Sequence, residues 1–462
     1  MTTTGDLVEK VRAVSYETLP REAIEMARHV CLDGIGVTLA GATEPLGLGS
    51  LVTRYVRGSA GSPQASVVAG GFKTSMTDAA FANGTMAHAL DFDNTWYPMN
   101  HPTSPTLPAI LALAEHYGSS GRDVITAIVA AFEVQARLRM ASTGLHTGRG
   151  FHKPGMTGLM GAVAAGISLL DLDQEQAETA FGIAGSRAGS LSVNTGTMTK
   201  SSHSGHAARM GLESAVLASM GWTATPDVFG PSGYFDTFMR DDQDPALLLR
   251  DFGSPFRMVQ PGVGFKKHPS NYFTHRAIDA ALAIRERPGF ELGALRSVDV
   301  VFPPLEYVNR PNPTSGLDGK FSVQYTTALA FLDGRVTIDS FTSERRFADD
   351  VEDLLPRVAL HLDPDIPIEF EKLHVVVTAH MADGREFNER IDELTGMPGV
   401  PLSRGQRMDK YLMCAERVLD HDDAVALAGL IERLDELPDV RGVMEIAGAQ
   451  PGGGQDGDGA DG

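Results

Sequence analysis

Residues Val124 to Val134 are apolar on nearly every side of a helical wheel, and no other segment constrains the fold as strongly. A helix with no polar face must be surrounded by protein, so this run predicts the centre of a helical bundle. Neighbouring segments can supply the surround. Residues 16–41 predict an amphipathic helix, with Pro20 in its first turn and Ile24, Ala27, Cys31, Ile35 and Leu39 at helical spacing. Helices are also predicted over Asp78 to Leu90, from Thr106 with Pro108 in the first turn, over Met156 to Leu170, and over Ser202 to Met220. Gly158, Gly161, Ala165 and Gly166 allow close helix approach, and Asp173 with Gln176 makes a capping-box pattern for one more helix.

The pattern changes near residue 266. Val298, Val300 and Phe302 alternate along a predicted strand. Leu373 to Ala379 and Arg385 to Ile391 flank an Asp383-Gly384 turn, which predicts a hairpin. Phe321 to Leu332 and Ser343 to Leu354 read as helices between these strands. The expected organisation is mainly α with a second α+β domain: helices over 1–265, a smaller α+β domain over 266–401, and helical character returning from Met408 to Leu434. The Gly- and Asp-rich end, 448–462, predicts a solvated, disordered tail.

Composition narrows the function. A formal net charge of −20 argues against nucleic acid and anionic membranes as partners. The two cysteines, Cys31 and Cys414, form no metal or redox motif, which points to a reducing, cytoplasmic setting. The sequence has no run of roughly 20 apolar residues that would span a membrane. It also lacks a P-loop, a dinucleotide fingerprint and a Gly-x-Ser-x-Gly elbow.

Four polar clusters carry candidate chemistry. His88 to Pro105 packs Asp91, Asp93, Thr95 and His101 between two apolar helices, just ahead of a helix start whose free amides favour an anion. Gly150-Phe151-His152-Lys153-Pro154-Gly155 offers His152 for proton transfer. Lys200, His203, His206 and Arg209 gather near a helix start, and Lys266, Lys267 and His268 mark the expected domain boundary. Cationic clusters in so acidic a protein suggest a site for a small polyanion. Helix capping, a structural histidine and solvated surface are the plainer alternatives. Metal ligation by Asp91, Asp93 and His101, or by His203 and His206, finds no standard spacing, so no metal is expected.

Taken together, these motifs resemble the MmgE/PrpD family, which includes 2-methylcitrate dehydratase, cis-aconitate decarboxylase and iminodisuccinate epimerase. The resemblance rests on Leu32-Asp33-Gly34-Ile35-Gly36, His88 through Trp96 with His101-Pro102, and Gly150-Phe151-His152. It continues through Thr199-Lys200 with Gly205 to Arg209, Lys266 to Pro269, and Lys320 to Tyr325. It implies a homodimer, a large helical domain built from both chain ends (1–265 and 402–447), an α+β lid over 266–401, and a cofactor-free site between them. By motif position it implies Asp91, His101, His152, Lys200 and Lys266 as catalytic residues. Thr95, Asp93, His203, Lys267 and Asn271 are the expected substrate contacts. The implied reaction is lyase chemistry on a small di- or tricarboxylic acid. Epimerisation of an amino- or iminodicarboxylate and an inactive carboxylate-binding homologue are the alternatives. The short spacing from Asp91 through Thr95 to His101 resembles the decarboxylases. Those enzymes are expected to carry a histidine five positions beyond the lid lysine, where this sequence has Asn271.

Overall fold

The structure, a computed structural model, describes residues 2–96, 100–142, 150–239 and 243–450. It is mainly α with an α+β part. Helices α1 (Thr3–Arg12), α2 (Arg21–Ala42), α3 (Leu48–Gly58) and α4 (Met76–Ala87) lead to α5 (Leu107–Tyr117) and α6 (Gly121–Ala141). Then come α7 (Leu159–Leu169), α8 (Gln174–Gly185) and α9 (Met198–Ser219). The run that is apolar all round lies in α6, which is buried along almost its whole length and starts from a Ser120–Asp123 capping box. The Asp173–Gln176 capping box opens α8 as the sequence predicts.

A second core gathers residues between Tyr272 and Leu394. Helix α10 (His275–Arg285) precedes β1 (Leu295–Phe302), and α11 (Val323–Asp333) precedes β2 (Val358–Leu362), β3 (Val375–Met381) and β4 (Glu386–Ile391). The sheet order is β2-β1-β3-β4, with β1 and β2 parallel and the other pairs antiparallel. Val298, Val300 and Phe302 face inward with Val375, Val377 and Ala379, and Ile278 and Leu329 of the two helices cover that face. Gly384 takes a φ of 87°, which the Asp383-Gly384 hairpin turn requires.

The chain then returns through α12 (Arg404–Ala415), α13 (His421–Glu432) and α14 (Arg441–Ala447). Tyr411, Leu427, Ile431 and Val443 from these helices share a core with Ile35, Ile110 and Ile128. Both ends of the chain therefore build one apolar centre.

Several elements differ from the sequence expectation for identifiable reasons. The helix expected over 16–41 begins only at Arg21, because Pro20 restricts Leu19 to an extended conformation and cannot continue a preceding helix. The helix expected to reach Leu90 stops at Ala87. A π-turn over Pro154–Gly158 leads into α7. Helix α9 starts four residues earlier than expected, which puts Lys200 in its first turn. The segment 343–354 splits into Ser343–Arg346 and Asp349–Leu354, and β2 follows it. Among the described residues no helix is long and apolar enough to cross a membrane. The predicted tail lies, from residue 451 on, outside the described residues, as does part of the His88–Pro105 stretch, residues 97–99.

Candidate active site

The site is assembled where α4, α9 and the connection into the second core meet. An added Cβ on Gly84 would lie 2.9 Å from the Cα of Gly205, so only small residues let α4 and α9 approach this closely. That contact lays the first turn of α9 beside the loop after α4. Asp91 turns the loop with a φ of 51°, a left-handed conformation that aspartate tolerates better than most residues. Thr95 then pairs with Gly264: its N–H donates at 2.9 Å and its carbonyl accepts at 2.7 Å. This bridge pins the loop to the strand-like connection that carries Lys266.

The Asp91 carboxylate is the hub. The Nζ of Lys200 donates to its Oδ1 at 2.6 Å, and the Nζ of Lys266 lies 3.2 Å from its Oδ2. Burial opposes the ionised form, but Lys200 and Lys266 outweigh it and hold the Asp91 carboxyl well below the usual carboxylate range. Lys266 also donates to the backbone carbonyls of Asp91 and Ser270. Burial pulls its ammonium below the ordinary lysine value against the attraction of Asp91.

His101 sits between two carboxylates, with Nε2 3.6 Å from Asp91 and Nδ1 3.1 Å from Asp93. Asp93 in turn accepts from Ser104 at 2.7 Å and faces the Nδ1 of His88 at 3.0 Å. The His88 ring stands edge-on to His101 with centroids 4.6 Å apart, and lies 5.5 Å from His152. Burial, only partly countered by Asp93, lowers His88 to about 4. His152 and His203 oppose their Nδ1 atoms at 3.1 Å, so one ring donates and the other accepts. Burial first, then Lys200 and the neighbouring histidines, depresses His152 far below its ordinary value, which makes it a neutral imidazole near pH 7.

These groups open into a cavity of about 620 Å³. Of the residues singled out from the sequence, Asp91, Thr95, His101, His152, Lys200, Lys266 and Asn271 line it. Asp93, His203 and Lys267 do not. Asp93 stands behind His101, His203 stands behind His152, and Lys267 turns away to pair with Asp279 at 2.9 Å. The hydroxyl of Thr95 donates to the carbonyl of Asn100 at 2.6 Å. The Oδ1 of Asn271 accepts from the N–H of Phe273 at 3.1 Å and from the hydroxyl of Tyr307 at 3.3 Å.

His88, Asp91, Asp93 and His101 each bring one potential metal-ligand atom within 4.8 Å of the others. The donor types suit a divalent ion, but the surrounding charge does not. Two ammonium groups already hold both oxygens of Asp91, and a metal there would have to face them.

Residues 5–247 match the MmgE/PrpD N-terminal domain, and residues 268–436 match the MmgE/PrpD C-terminal domain. The chain belongs to the MmgE/PrpD family. It is 32% identical to a cis-aconitate decarboxylase of Mus musculus over 90% of this chain and 87% of that protein. Identity to the cis-aconitate decarboxylase of Homo sapiens is also 32%, over 79% of this chain and 77% of that one. A 2-methylcitrate dehydratase of Salmonella typhimurium is 23% identical, over 84% of each chain. The protein is an enzyme of the lyase type that these relatives represent.

Within this MmgE/PrpD site, some groups escaped the sequence reading. His88 opens the quoted motif and was a legible candidate, because a histidine before two aspartates is costly to bury without partners. Lys320, part of another quoted motif, is buried beside the cluster and donates to the carbonyl of Ala89 at 3.3 Å. Burial brings its ammonium down to about 8. Lys153, Tyr307 and Arg310 also line the cavity, brought there by packing between segments far apart in sequence.

Proposed function

We propose that this enzyme is a cofactor-independent lyase acting on a small di- or tricarboxylic acid, with decarboxylation of the cis-aconitate type as the leading reaction. The observation that carries this reading is the convergence of Lys200, Lys266, His101 and His152 on one cavity. Lys200 and Lys266 bind a substrate carboxylate and stabilise the negative charge that develops beside it. In decarboxylation the carbon–carboxylate bond breaks, CO2 leaves, and the electron pair is delocalised toward a remaining carboxylate. A proton from an imidazolium then completes the new C–H bond. His101 suits that donor role because each ring nitrogen faces a carboxylate. His152, held neutral, suits the acceptor role in those reactions of the same site that remove a proton from carbon, dehydration and epimerisation. The similarity to the mouse decarboxylase over nearly the whole chain supports the same choice.

A second reading, epimerisation of an amino- or iminodicarboxylate, draws on Asn271. Its amide stands in the cavity wall at the position where the decarboxylases are expected to carry a histidine. The same proton donor and acceptor, acting on opposite faces of one carbon, would invert it without breaking a C–C or C–O bond.

One experiment separates these outcomes. The protein is incubated with cis-aconitate, 2-methylcitrate and iminodisuccinate in deuterated water, and products are followed by NMR. CO2 release from cis-aconitate supports the leading reading, and water loss from 2-methylcitrate moves the assignment to dehydration. Deuterium entering recovered iminodisuccinate without other change selects epimerisation, and inertness toward all three would overturn the reading. The proposal includes a homodimer in a reducing, cytoplasmic setting. Cys31 and Cys414, both buried and unpaired, support that setting, and light scattering tests the dimer.

A further inference from the structure

Among the described residues, the cations that line or adjoin the cavity have protein partners with one exception. Lys200 and Lys266 share Asp91, Arg310 pairs with Asp318, and Lys320 donates to the carbonyl of Ala89. Lys153, half-buried in the cavity wall, has no ion pair or side-chain hydrogen bond among the described residues. Arg139, another cation, lies near it. Burying part of a charge without a partner is unfavourable, so its place in a binding cavity calls for an anion from outside the chain.

The backbone around Lys153 is firmly held. The N–H of His152 donates to the carbonyl of Ser190 at 2.9 Å, and Phe151 bridges to Leu191. The following π-turn, Pro154–Gly158, packs so tightly that a Cβ on Gly155 would lie 2.0 Å from the Oγ of Ser190. The lysine thus projects from a fixed wall made of His152 to Pro154 and Ser192 to Thr195, whereas Lys200 and Lys266 are gathered around Asp91.

The geometry points to Lys153 as the anchor for a third carboxylate, giving this site a preference for tricarboxylic over dicarboxylic acids. The inference rests on the proposed carboxylate-binding role of the cavity. Two carboxylates of a ligand meet the Lys200–Lys266 side, and the third meets the ammonium that has no partner among the described residues. A charge-assisted hydrogen bond of this kind is worth on the order of tenfold or more in affinity.

Calorimetric titration of the full chain with propane-1,2,3-tricarboxylate and with succinate tests it. The wild type should bind the tricarboxylate more tightly. Lys153→Gln should weaken tricarboxylate binding about tenfold or more while leaving succinate within about twofold, and Lys153→Arg should keep most of the preference. Equal weakening of both ligands, or no change in either, would overturn the assignment. If the wild type binds neither acid, the carboxylate reading of the cavity itself falls and takes this inference with it.

Discussion

Lys200 and Lys266 hold opposite oxygens of one carboxylate, at 2.6 Å and 3.2 Å from Asp91. The aspartate thereby holds both lysine head groups at the cavity wall before any substrate arrives. A binding site for anions gains from such a counter-charge, because two ammonium groups alone at this depth would repel each other.

Asp91→Asn keeps the shape and removes that counter-charge. Losing one partner of a buried ion pair typically costs about 3–5 kcal/mol, so urea or thermal unfolding should show a clear drop in stability. Turnover should fall about a hundredfold or more, since both lysines and His101 lose their common reference point. Wild-type stability and turnover in this variant would show that Asp91 organises nothing.

Stability should also depend on pH in a specific window. His88 and His203 are held at about 4 in the fold, chiefly by burial, against 6.5 ordinarily. Between these values the unfolded chain binds protons that the folded chain refuses, so stability is lost as pH falls from about 6.5 toward 4. Each histidine contributes a slope of up to about 1.4 kcal/mol per pH unit. Asp91 and Asp93, both held below the ordinary carboxylate value, add their loss only at more acid pH. Chemical denaturation across pH 4–7 reads the slope, and His203→Gln should make it shallower. A flat profile over that window would contradict the buried neutral rings.

How much of this was legible in the sequence varied with how local the signal was. The Asp173–Gln176 capping box and the Asp383-Gly384 turn were read correctly because their hydrogen bonds and φ angles are set within a few residues. The start of α9 was missed because Thr199-Lys200-Ser201-Ser202 carries no apolar stripe: its buried face packs against the polar site. Strand β2 has only five residues and alternate side chains exposed, too short a pattern to separate from a loop. Asp91, His101, His152, Lys200 and Lys266 could be named as candidates from residue type and order. That Lys153 and Arg310 share their cavity comes from packing between distant segments, which no local pattern records.

Activity should survive chelation. Of the four candidate ligands His88, Asp91, Asp93 and His101, Asp91 already faces Lys200 and Lys266, and Asp93 faces His88 and His101. Treatment with EDTA followed by gel filtration should leave the rate on the true substrate within about twofold, because proton transfer here is assigned to imidazoles and charge stabilisation to ammonium groups. Loss of activity with recovery on adding a divalent ion would make the four-residue cluster a metal centre.

Lys266 and Lys267 are neighbours with opposite fates, and this makes the sharpest internal control. Their side chains go to opposite environments although they are adjacent in sequence. Lys266 is buried against Asp91, while the side chain of Lys267 is 41% exposed and pairs with Asp279. An exposed pair of that kind contributes about 0–1 kcal/mol. Lys267→Ala should therefore leave kcat/KM within about twofold and stability within about 1 kcal/mol. Lys266→Ala should lower kcat/KM about a hundredfold or more, because it removes charge stabilisation at the reacting centre. Measuring both variants side by side decides the matter: comparable losses would mean that the cavity recognises its ligand through general positive charge and not through the Asp91-centred arrangement.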